Sequence, residues 1–253
     1  SWPVIEPGID YLHNWHIDAI SEHLEAVTNG EIKRLLINMP PRYMKSIAVT
    51  VNWPTWMWTK QPTKRFISLS YSQENWSDRF MLTGDQNTKI KFQNDHMGFM
   101  FCTSIGGTLT GEGADFIIVD DPHNPKKAES EAERNTAIEF FKTTLPSRLN
   151  NKKKGAIIVV MQRLHEQDIS GFVLEQGGYE HLCLPAEAEK RTIIHFPITG
   201  KELVREQGDL LWPEREGPKE IANMKRDMGS YGYSGQYQQD PSPSEGGMFK
   251  RRW

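Results

Sequence analysis

What this sequence has little of excludes several classes of protein. Only two of its 253 residues are cysteines, Cys102 and Cys183, and they lie far apart. The sequence therefore supports neither a disulfide scaffold nor a cysteine-based zinc site. No apolar run approaches the roughly 20 residues that cross a bilayer, which excludes a transmembrane helix and a membrane partner. A surplus of one charge is also lacking, because 30 basic side chains face 33 acidic ones and the net charge is −3. Any contact with nucleic acid must come from a local basic patch.

Aromatic residues, by contrast, are plentiful. The chain holds 8 Trp, 11 Phe and 7 Tyr, which indicates a folded core rather than disorder. At roughly 150 residues per domain, the length suggests one large domain or a domain with an appendage. The amino terminus lacks the basic and apolar segments of a signal peptide, so we expect a reducing, intracellular compartment. Because the chain starts at Ser1 and stops at Trp253, we expect a fragment of a longer protein.

Short apolar strands alternate with helices along the first 200 residues. The predicted strands are 34–39, 65–70, 99–105, 115–121, 155–161 and, more weakly marked, 180–184. The predicted helices are 15–29, 45–58 with Pro54 bending or ending it, one from about Ser72 with Trp76 and Phe80 on one face, and one that opens with a capping box at Ser130. Continuous apolar strands separated by helices favour a doubly wound α/β fold, whose parallel sheet is covered on both faces.

The character of the chain changes near residue 200. Glycine, proline, tyrosine and glutamine become common, and strand signals vanish. We therefore expect a core over residues 1–200, a small appended lid or linker subdomain over 201–240, and an exposed linker over 241–253.

The sharpest local feature is the segment 39–46, which lies between a predicted strand and a predicted helix. The phosphate-binding loop pattern is G-x-x-x-x-G-K-[ST]. Lys45 and Ser46 fit it, whereas Met39 and Met44 occupy the two glycine positions. Free backbone N–H groups at a helix start bind anions, a lysine there neutralises phosphate charge, and the serine can ligate Mg²⁺. The missing glycines predict a loop with less access to positive φ angles. The alternative is a Lys-Ser pair at an ordinary helix start.

Two adjacent acids follow the apolar run 116–119. A buried strand that ends in an acid is where nucleotide enzymes hold Mg²⁺, and Asp120 suits that role. Asp121 can orient and deprotonate an attacking water. Most enzymes of this layout use glutamate there, and Asp121 has a shorter reach. The alternative is a solvated turn opened by Asp-Pro, but the order of the two features favours a nucleotide site.

A polar pair, Gln162 and Arg163, ends the predicted strand 155–161. Ligands bind at the carboxyl ends of strands in open α/β sheets. Gln162 can there sense a γ-phosphate through the attacking water, and Arg163 can contact phosphate or a neighbouring subunit. The alternative is two surface residues at a strand end.

Taken together, the Pro-Pro-Arg-x-x-Lys-Ser loop, Asp-Asp-Pro at 120–122 and Gln-Arg-Leu-His at 162–165 resemble the ATPase domain of the large terminase subunit of tailed bacteriophages. The resemblance covers nearly the whole chain. Further matching stretches are Trp15-His16, 111–115 and 235–239. It implies an α/β P-loop NTPase of the additional-strand (ASCE) type, with a mostly parallel sheet flanked by helices and a small appended C-terminal subdomain.

The resemblance also implies a role for each matching residue, with ATP and Mg²⁺ as ligands. The positions that match the family's nucleotide-binding loop (Walker A) are Pro41, Arg42, Tyr43, Met44, Lys45 and Ser46. Ser46 and Asp120 (Walker B) match the metal ligands, and Asp121 matches the catalytic acid. Lys45 and Arg42 match groups that stabilise phosphate charge, while Gln162 and Arg163 match the motif that couples hydrolysis to movement. Trp15 and His16 lie where relatives bind adenine, although both are equally well explained as core and cap of the first helix.

Two departures from the family pattern matter. Many relatives have glycine where this chain has Met44. Many also carry an arginine finger where this chain has Glu112, so the identity of the finger stays open among Arg163, Arg148 and Arg134.

The resemblance implies a motor that drives double-stranded viral DNA into the procapsid in the host-cell cytoplasm. The implied partners are non-specific DNA, the portal protein and the small terminase subunit, with a monomer in solution and a homopentamer on the portal. Candidate DNA-contacting patches are 152–154, Lys126 with Lys127, and Lys89 with Lys91, each of which is alternatively a solvated loop. Relatives carry a nuclease domain after the ATPase, and since it lies beyond this sequence we expect no nuclease activity from this fragment.

Three other functions stay open at this point. One is a helicase-like DNA-dependent ATPase. The second is a degenerate protein that binds nucleotide without turnover, which the missing glycines favour. The third is a capsid-assembly module that binds no nucleotide. Nucleotide binding separates the third from the others, and turnover separates the second.

Overall fold

The computed structural model describes residues 10–71, 91–109 and 111–242. Its centre is a seven-stranded sheet with the order β3-β4-β2-β5-β6-β1-β7. The strands of this sheet are β1 (Arg34–Asn38), β2 (Phe66–Ser70), β3 (Lys91–Gln93), β4 (Phe99–Ser104), β5 (Phe116–Asp120), β6 (Ala156–Met161) and β7 (Glu180–Cys183). All neighbouring pairs are parallel except β3 with β4, which places an antiparallel strand at one edge.

The position of β6 defines the fold class. It lies between β1, which leads into segment 39–46, and β5, which ends in the two acids. In register, Ile37 lies opposite Val160 and Val119 lies opposite Val159. A strand in this position is consistent with the predicted additional-strand class, and the predicted mostly parallel α/β sheet flanked by helices is confirmed.

Helices cover both faces of the sheet. They are α1 (Trp15–Asn29), α2 (Trp53–Lys60), α3 (Glu131–Thr143), α4 (Ile169–Gln176) and α5 (Pro218–Gln236), with a 3₁₀ turn at Leu145–Arg148. Because side chains alternate along a strand, Ile118 joins the core cluster that contains Trp53, whereas Ile117 joins the opposite cluster with Phe141. Continuous apolar strands are the consequence of this two-sided burial.

The helix predicted over 45–58 differs from a regular α-helix. It contains a π-helical segment, Ile47–Asn52, in which the N–H of Trp53 donates to the carbonyl of Ala48. Pro54 then lies in the first turn of α2 rather than bending or ending the helix. Proline has no N–H and its ring crowds the carbonyl four residues earlier. A widened turn before it relieves that conflict.

The expectation that strand signals vanish after residue 200 is wrong. Strand β9 (Glu202–Arg205) pairs antiparallel with β8 (Thr192–His195), and this hairpin spans the predicted boundary at 200. Ile194 of the hairpin belongs to the same core cluster as the central strands. Both strands are short and mostly exposed, so they lack the apolar runs by which the central strands were predicted. The division at residue 200 stays a prediction.

Several predicted elements lie outside the described residues. These are the helix from about Ser72 with Trp76 and Phe80, the position of Lys89, and most of the linker 241–253. Within the described ranges, no helix is both long enough and apolar enough to cross a membrane.

Candidate active site

The carboxyl edge of the sheet brings together residues from three strands that are separate in sequence. Segment 39–46 follows β1, Asp120 and Asp121 end β5, and Gln162 follows β6. Since these strands are adjacent and parallel, their ends meet at one place. The structure therefore places the predicted loop, acids and glutamine side by side.

Segment 39–46 adopts left-handed backbone conformations without glycine. Arg42 has φ 71° and Met44 has φ 67°. For residues with a side chain this region costs about 1–2 kcal/mol each. The expectation that the missing glycines restrict access to positive φ is thus wrong, and Met44 takes this conformation at a glycine position of the pattern.

Contacts from other parts of the chain hold the loop in this strained form, as such conformations require. Tyr43 is fully buried, and its hydroxyl donates to Oε2 of Glu216 at 2.8 Å. Its ring lies 6.1 Å from that of Trp212. The side chain of Tyr43 therefore faces the core, so a ligand can reach only its backbone. Arg42 is exposed, and Pro41 is half-buried.

His16 supports the same loop from beneath. The side chain is fully buried, and burial lowers its pKa to about 4, so the ring is neutral at pH 7. Asn14 Nδ2 lies 2.5 Å from Nδ1, which leaves Nε2 to donate to the carbonyl of Tyr43 at 3.2 Å. This arrangement favours the core interpretation of His16 over contact with adenine. Trp15 is half-buried, and the guanidinium of Arg205 lies 5.7 Å from its ring centre.

Each of the two acids contacts a group of the loop-helix segment. Lys45 Nζ lies 2.8 Å from Oδ2 of Asp121. Ser46 Oγ donates to Oδ1 of Asp120 at 2.8 Å. Thr50 Oγ1 donates to the other oxygen of Asp120, also at 2.8 Å. Ser46 thus contacts the acid with which the sequence grouped it as a metal ligand, and Lys45 contacts the predicted catalytic acid.

Burial strongly shifts the pKa of Asp120. Its side chain is almost inaccessible, and burial, with a smaller contribution from the neighbouring Asp121, raises its pKa to about 6. Lys45 and the two hydroxyl donors act in the opposite direction. A buried carboxylate beside a serine hydroxyl is a pair of hard oxygen ligands, which is the chemistry that Mg²⁺ prefers.

The donor set fits Mg²⁺ better than an all-protein metal centre. Within residues 10–71, 91–109 and 111–242, no group of three or more His, Cys, Asp or Glu side chains could hold a metal ion. Magnesium characteristically takes one or two protein oxygens and completes its shell with water and substrate phosphates. Ser46 and Asp120 supply that number.

Backbone contacts at the end of β5 fix the orientation of Asp121. Its φ is 45°, and its N–H donates to the carbonyl of Val160 at 2.9 Å. Its Oδ1 accepts the N–H of Gln162 at 3.1 Å. The carboxylate is therefore held between Lys45 and the end of β6.

The side chains of Gln162 and Arg163, which follow β6, have different surroundings. Oε1 of Gln162 is buried and has no hydrogen-bond partner within the described part of the chain. The side chain of Arg163 turns away, and its Nε lies 3.0 Å from both oxygens of Asp168. The guanidinium is committed to this buried pair, which argues against the predicted contact with phosphate or with a neighbouring subunit.

The other finger candidates are similarly engaged. Arg134 is buried, and its Nη1 donates to the carbonyl of Ala128 at 2.7 Å. Arg148 donates to the carbonyl of Leu109 at 3.1 Å. Glu112 pairs with Lys91 at 2.7 Å. Many members of the family that the sequence resembles carry arginine at this position.

Sequence reasoning missed three residues of this region. Thr50 follows Ser46 by four residues, and that helical spacing is a usable signal because such residues share a face. Asp168 caps the first turn of α4 by accepting the N–H of Gly171, which is also locally recognisable. Gln239 follows α5 and lies within the matching stretch 235–239, but the sequence assigned it no role at the site.

Comparison with known proteins gives little at the level of sequence. No protein-family model matches the chain, and no curated protein matches it. Seven chains of solved structures match it. Among these is the large terminase from the thermophilic bacteriophage D6E in complex with ADP, with 8% sequence identity and a TM-score of 0.43. The match covers 85% of this chain and 52% of that terminase, so this chain spans about half its length.

Proposed function

We propose that this chain is the Mg²⁺-dependent, ATP-hydrolysing motor domain of a terminase large subunit, which drives double-stranded viral DNA into a procapsid. The observation that carries the hydrolysis is the pairing of Lys45 with Asp121 and of Ser46 with Asp120 across two strands. The order of the sequence motifs supports the packaging role.

The proposed roles follow from the positions of the side chains. Lys45 and the loop N–H groups bind the β- and γ-phosphates, and Arg42 is exposed at the same loop. Ser46 and Asp120 would hold Mg²⁺, which when bound neutralises phosphate charge. For Lys45 to reach phosphate it must leave Oδ2 of Asp121, so substrate binding frees that oxygen.

The freed carboxylate is the general base of the proposed reaction. Asp121 orients a water molecule and accepts its proton. The water oxygen bonds to the γ-phosphorus while the bond from phosphorus to the bridging oxygen breaks. The products are ADP and phosphate. The side-chain oxygen of Gln162 is buried and has no hydrogen-bond partner among the described residues, which supports a role for Gln162 in sensing the loss of the γ-phosphate.

Nucleotide binding and steady-state hydrolysis test this proposal. We expect Lys45→Ala to lose both, and Asp121→Asn to bind ATP but turn over at least about 100-fold more slowly. Lys152→Ala is the matched control, because that lysine is exposed at the far edge of the sheet. A folded wild-type chain that binds no nucleotide would falsify the proposal. Binding without turnover would indicate either a degenerate site or an essential group from another subunit.

The proposed DNA contact lies at the amino edge of the sheet, opposite the acids. Lys152–Lys154 precede β6 and are exposed, as is Lys33 before β1. In the part of the chain that the structure describes, none of these four lysines forms an ion pair, whereas Lys127 pairs with Glu133 at 2.9 Å. Unpaired cations on adjacent strands suit a polyanion, and contacts to its backbone carry no sequence preference.

Acidic residues limit this basic surface to the middle of the edge. Asp115 precedes β5, on the side of β6 away from β1, and its carboxylate accepts the N–H of Arg65 at 3.0 Å. Glu31 and Glu180 flank the edge. The proposal extends to assembly as a homopentamer on a portal protein, with the small terminase subunit as a further partner.

A further inference from the structure

The segment that follows α5 folds back onto the end of β6. Oε1 of Gln239 accepts the N–H of Arg163 at 3.0 Å. Nε2 of the same side chain donates to the carbonyl of Gln236 at 2.5 Å. Because one end of the amide accepts and the other donates, its orientation is fixed. The side chain is 5% exposed, so these bonds are made away from water.

Two further observations show how closely the segments fit. A side-chain carbon at Gly235 would lie only 3.3 Å from the carbonyl oxygen of Arg163. Gln239 itself has φ 60°, which is costly for a residue with a side chain. Surrounding contacts must therefore impose that conformation. Both backbone polar groups of Arg163 thus face the end of α5.

The neighbouring peptide group faces the acids instead. The N–H of Gln162 donates to Oδ1 of Asp121, which also holds Lys45 through Oδ2. Successive amides at the end of β6 are therefore bound to Asp121 on one side and to Gln239 on the other. The guanidinium of Arg163 fixes the same turn through Asp168. A change at Asp121 cannot move this turn without disturbing Gln239.

We propose that Gln239 is a positioning residue that couples the state of Asp121 to the segment leaving α5, through the consecutive amides of Gln162 and Arg163. The part of this inference that concerns turnover rests on the proposed hydrolysis. The mechanical coupling does not, since it concerns contacts made in the free chain.

Hydrogen–deuterium exchange of the nucleotide-free chain tests the coupling alone. We expect Asp121→Ala to speed exchange in peptides covering 235–242 about fivefold, because loss of the carboxylate releases the turn. The same change in a Gln239→Ala background should add nothing further. Asp120→Asn is the control, since Asp120 contacts Ser46 and Thr50 rather than Gln162. If Asp121→Ala leaves 235–242 unchanged, the coupling is refuted whatever the chain does with ATP.

Kinetics test the consequence for turnover. Gln239→Ala should lower kcat about tenfold with KM for ATP nearly unchanged, because the substrate contacts remain. Gln238→Ala is matched in size and position, but its side chain bonds to the backbone of Glu187 and not to Arg163. A merely structural role for the end of α5 predicts equal losses in both variants, and that result would overturn the assignment. A wild-type chain without nucleotide binding would instead count against the proposed function, with the exchange experiment still decisive for the coupling.

Discussion

The carboxyl and amino edges of the central sheet differ in how their charged side chains are paired. At the carboxyl edge, Lys45, Ser46 and both acids are paired with one another at 2.8 Å. At the amino edge, Lys33 and Lys152–Lys154 are exposed. Both sets flank adjacent strands of one sheet, and β1 contributes to each, so strand composition does not explain the difference. A loop that is held in place by His16 and Tyr43 covers the carboxyl edge, whereas exposed turns form the amino edge.

This comparison shows that the side chains fixed before substrate binds lie at the carboxyl edge of the sheet. A site that stabilises charge during a reaction requires groups fixed before substrate arrives. A surface that accepts any nucleic acid sequence requires only available charge. Changes at one edge should therefore affect chemistry, and changes at the other should affect association. The four predictions below separate these effects.

The largest effect is expected at the metal-ligand position. Ser46→Ala should reduce ATP turnover by roughly 10²–10³-fold, because a fixed ligand of the proposed Mg²⁺ is lost. Steady-state rates as a function of Mg²⁺ concentration measure this, with Lys153→Ala as the control at the other edge. Equal rates in both variants would contradict the assigned contrast.

The next effect concerns the amino edge alone. Replacing Lys152, Lys153 and Lys154 together by alanine should weaken binding to duplex DNA about 100-fold at 0.1 M salt and reduce the salt dependence. Basal ATP turnover should stay unchanged. Binding measured across a salt series checks both. The patch would be excluded by an unaltered salt slope, and the control Lys126→Ala with Lys127→Ala should have the smaller effect.

Acid should destabilise the fold through the buried histidines. Burial lowers the pKa of His16 to about 4, against 6.5 ordinarily. The unfolded chain therefore takes up the proton first, and stability falls as pH drops below 6.5. For His16 the loss at pH 5 is about 2 kcal/mol. Denaturant unfolding at pH 7 and pH 5 measures it. His16→Gln should abolish this contribution of His16 to the loss of stability at pH 5, whereas substitution of the exposed His195 should leave the loss unchanged.

The last effect is similar in size to that of His16 and has the opposite sign. The pKa of Asp120 is raised to about 6 from 3.8, so the native state loses stability as pH rises through that interval and carries the full cost above it. Asp120→Asn should therefore raise the free energy of unfolding by about 1–3 kcal/mol at pH 7.5 without Mg²⁺. Unfolding at pH 4 should show little difference. Asp95→Asn, at an exposed position, should change stability at neither pH.

The sequence predicted the central strands because burial on both faces leaves a continuous apolar run, as in Phe116–Asp120. It also grouped Ser46 with Asp120 as metal ligands, and these two residues lie together because strand ends in a parallel sheet converge. The hairpin 192–205 escaped prediction since its short strands are half exposed. The π-helical turn before Pro54 was not predicted, because it results from a local conflict between the proline ring and the preceding helical backbone.

Other features of the site depend on tertiary contacts. Arg163 follows the sensor position in sequence, but Asp168 draws its guanidinium into the core. For His16 the sequence left contact with adenine and a core or cap role in the first helix equally open, and the contacts with Asn14 and Tyr43 favour the core. Gln239 is distant from the loop in sequence, so only the folded chain reveals its contact with Arg163.

The left-handed backbone of Asp121 bears on which acid can occupy that position. Short side chains such as aspartate and asparagine tolerate positive φ far better than longer ones. A glutamate would reach further toward a water molecule but would have to adopt the φ of 45° found here. The backbone at this position thus favours the shorter acid. A glutamate there would bear the left-handed conformation at a cost of about 1–2 kcal/mol, as Arg42 and Met44 do in the neighbouring loop.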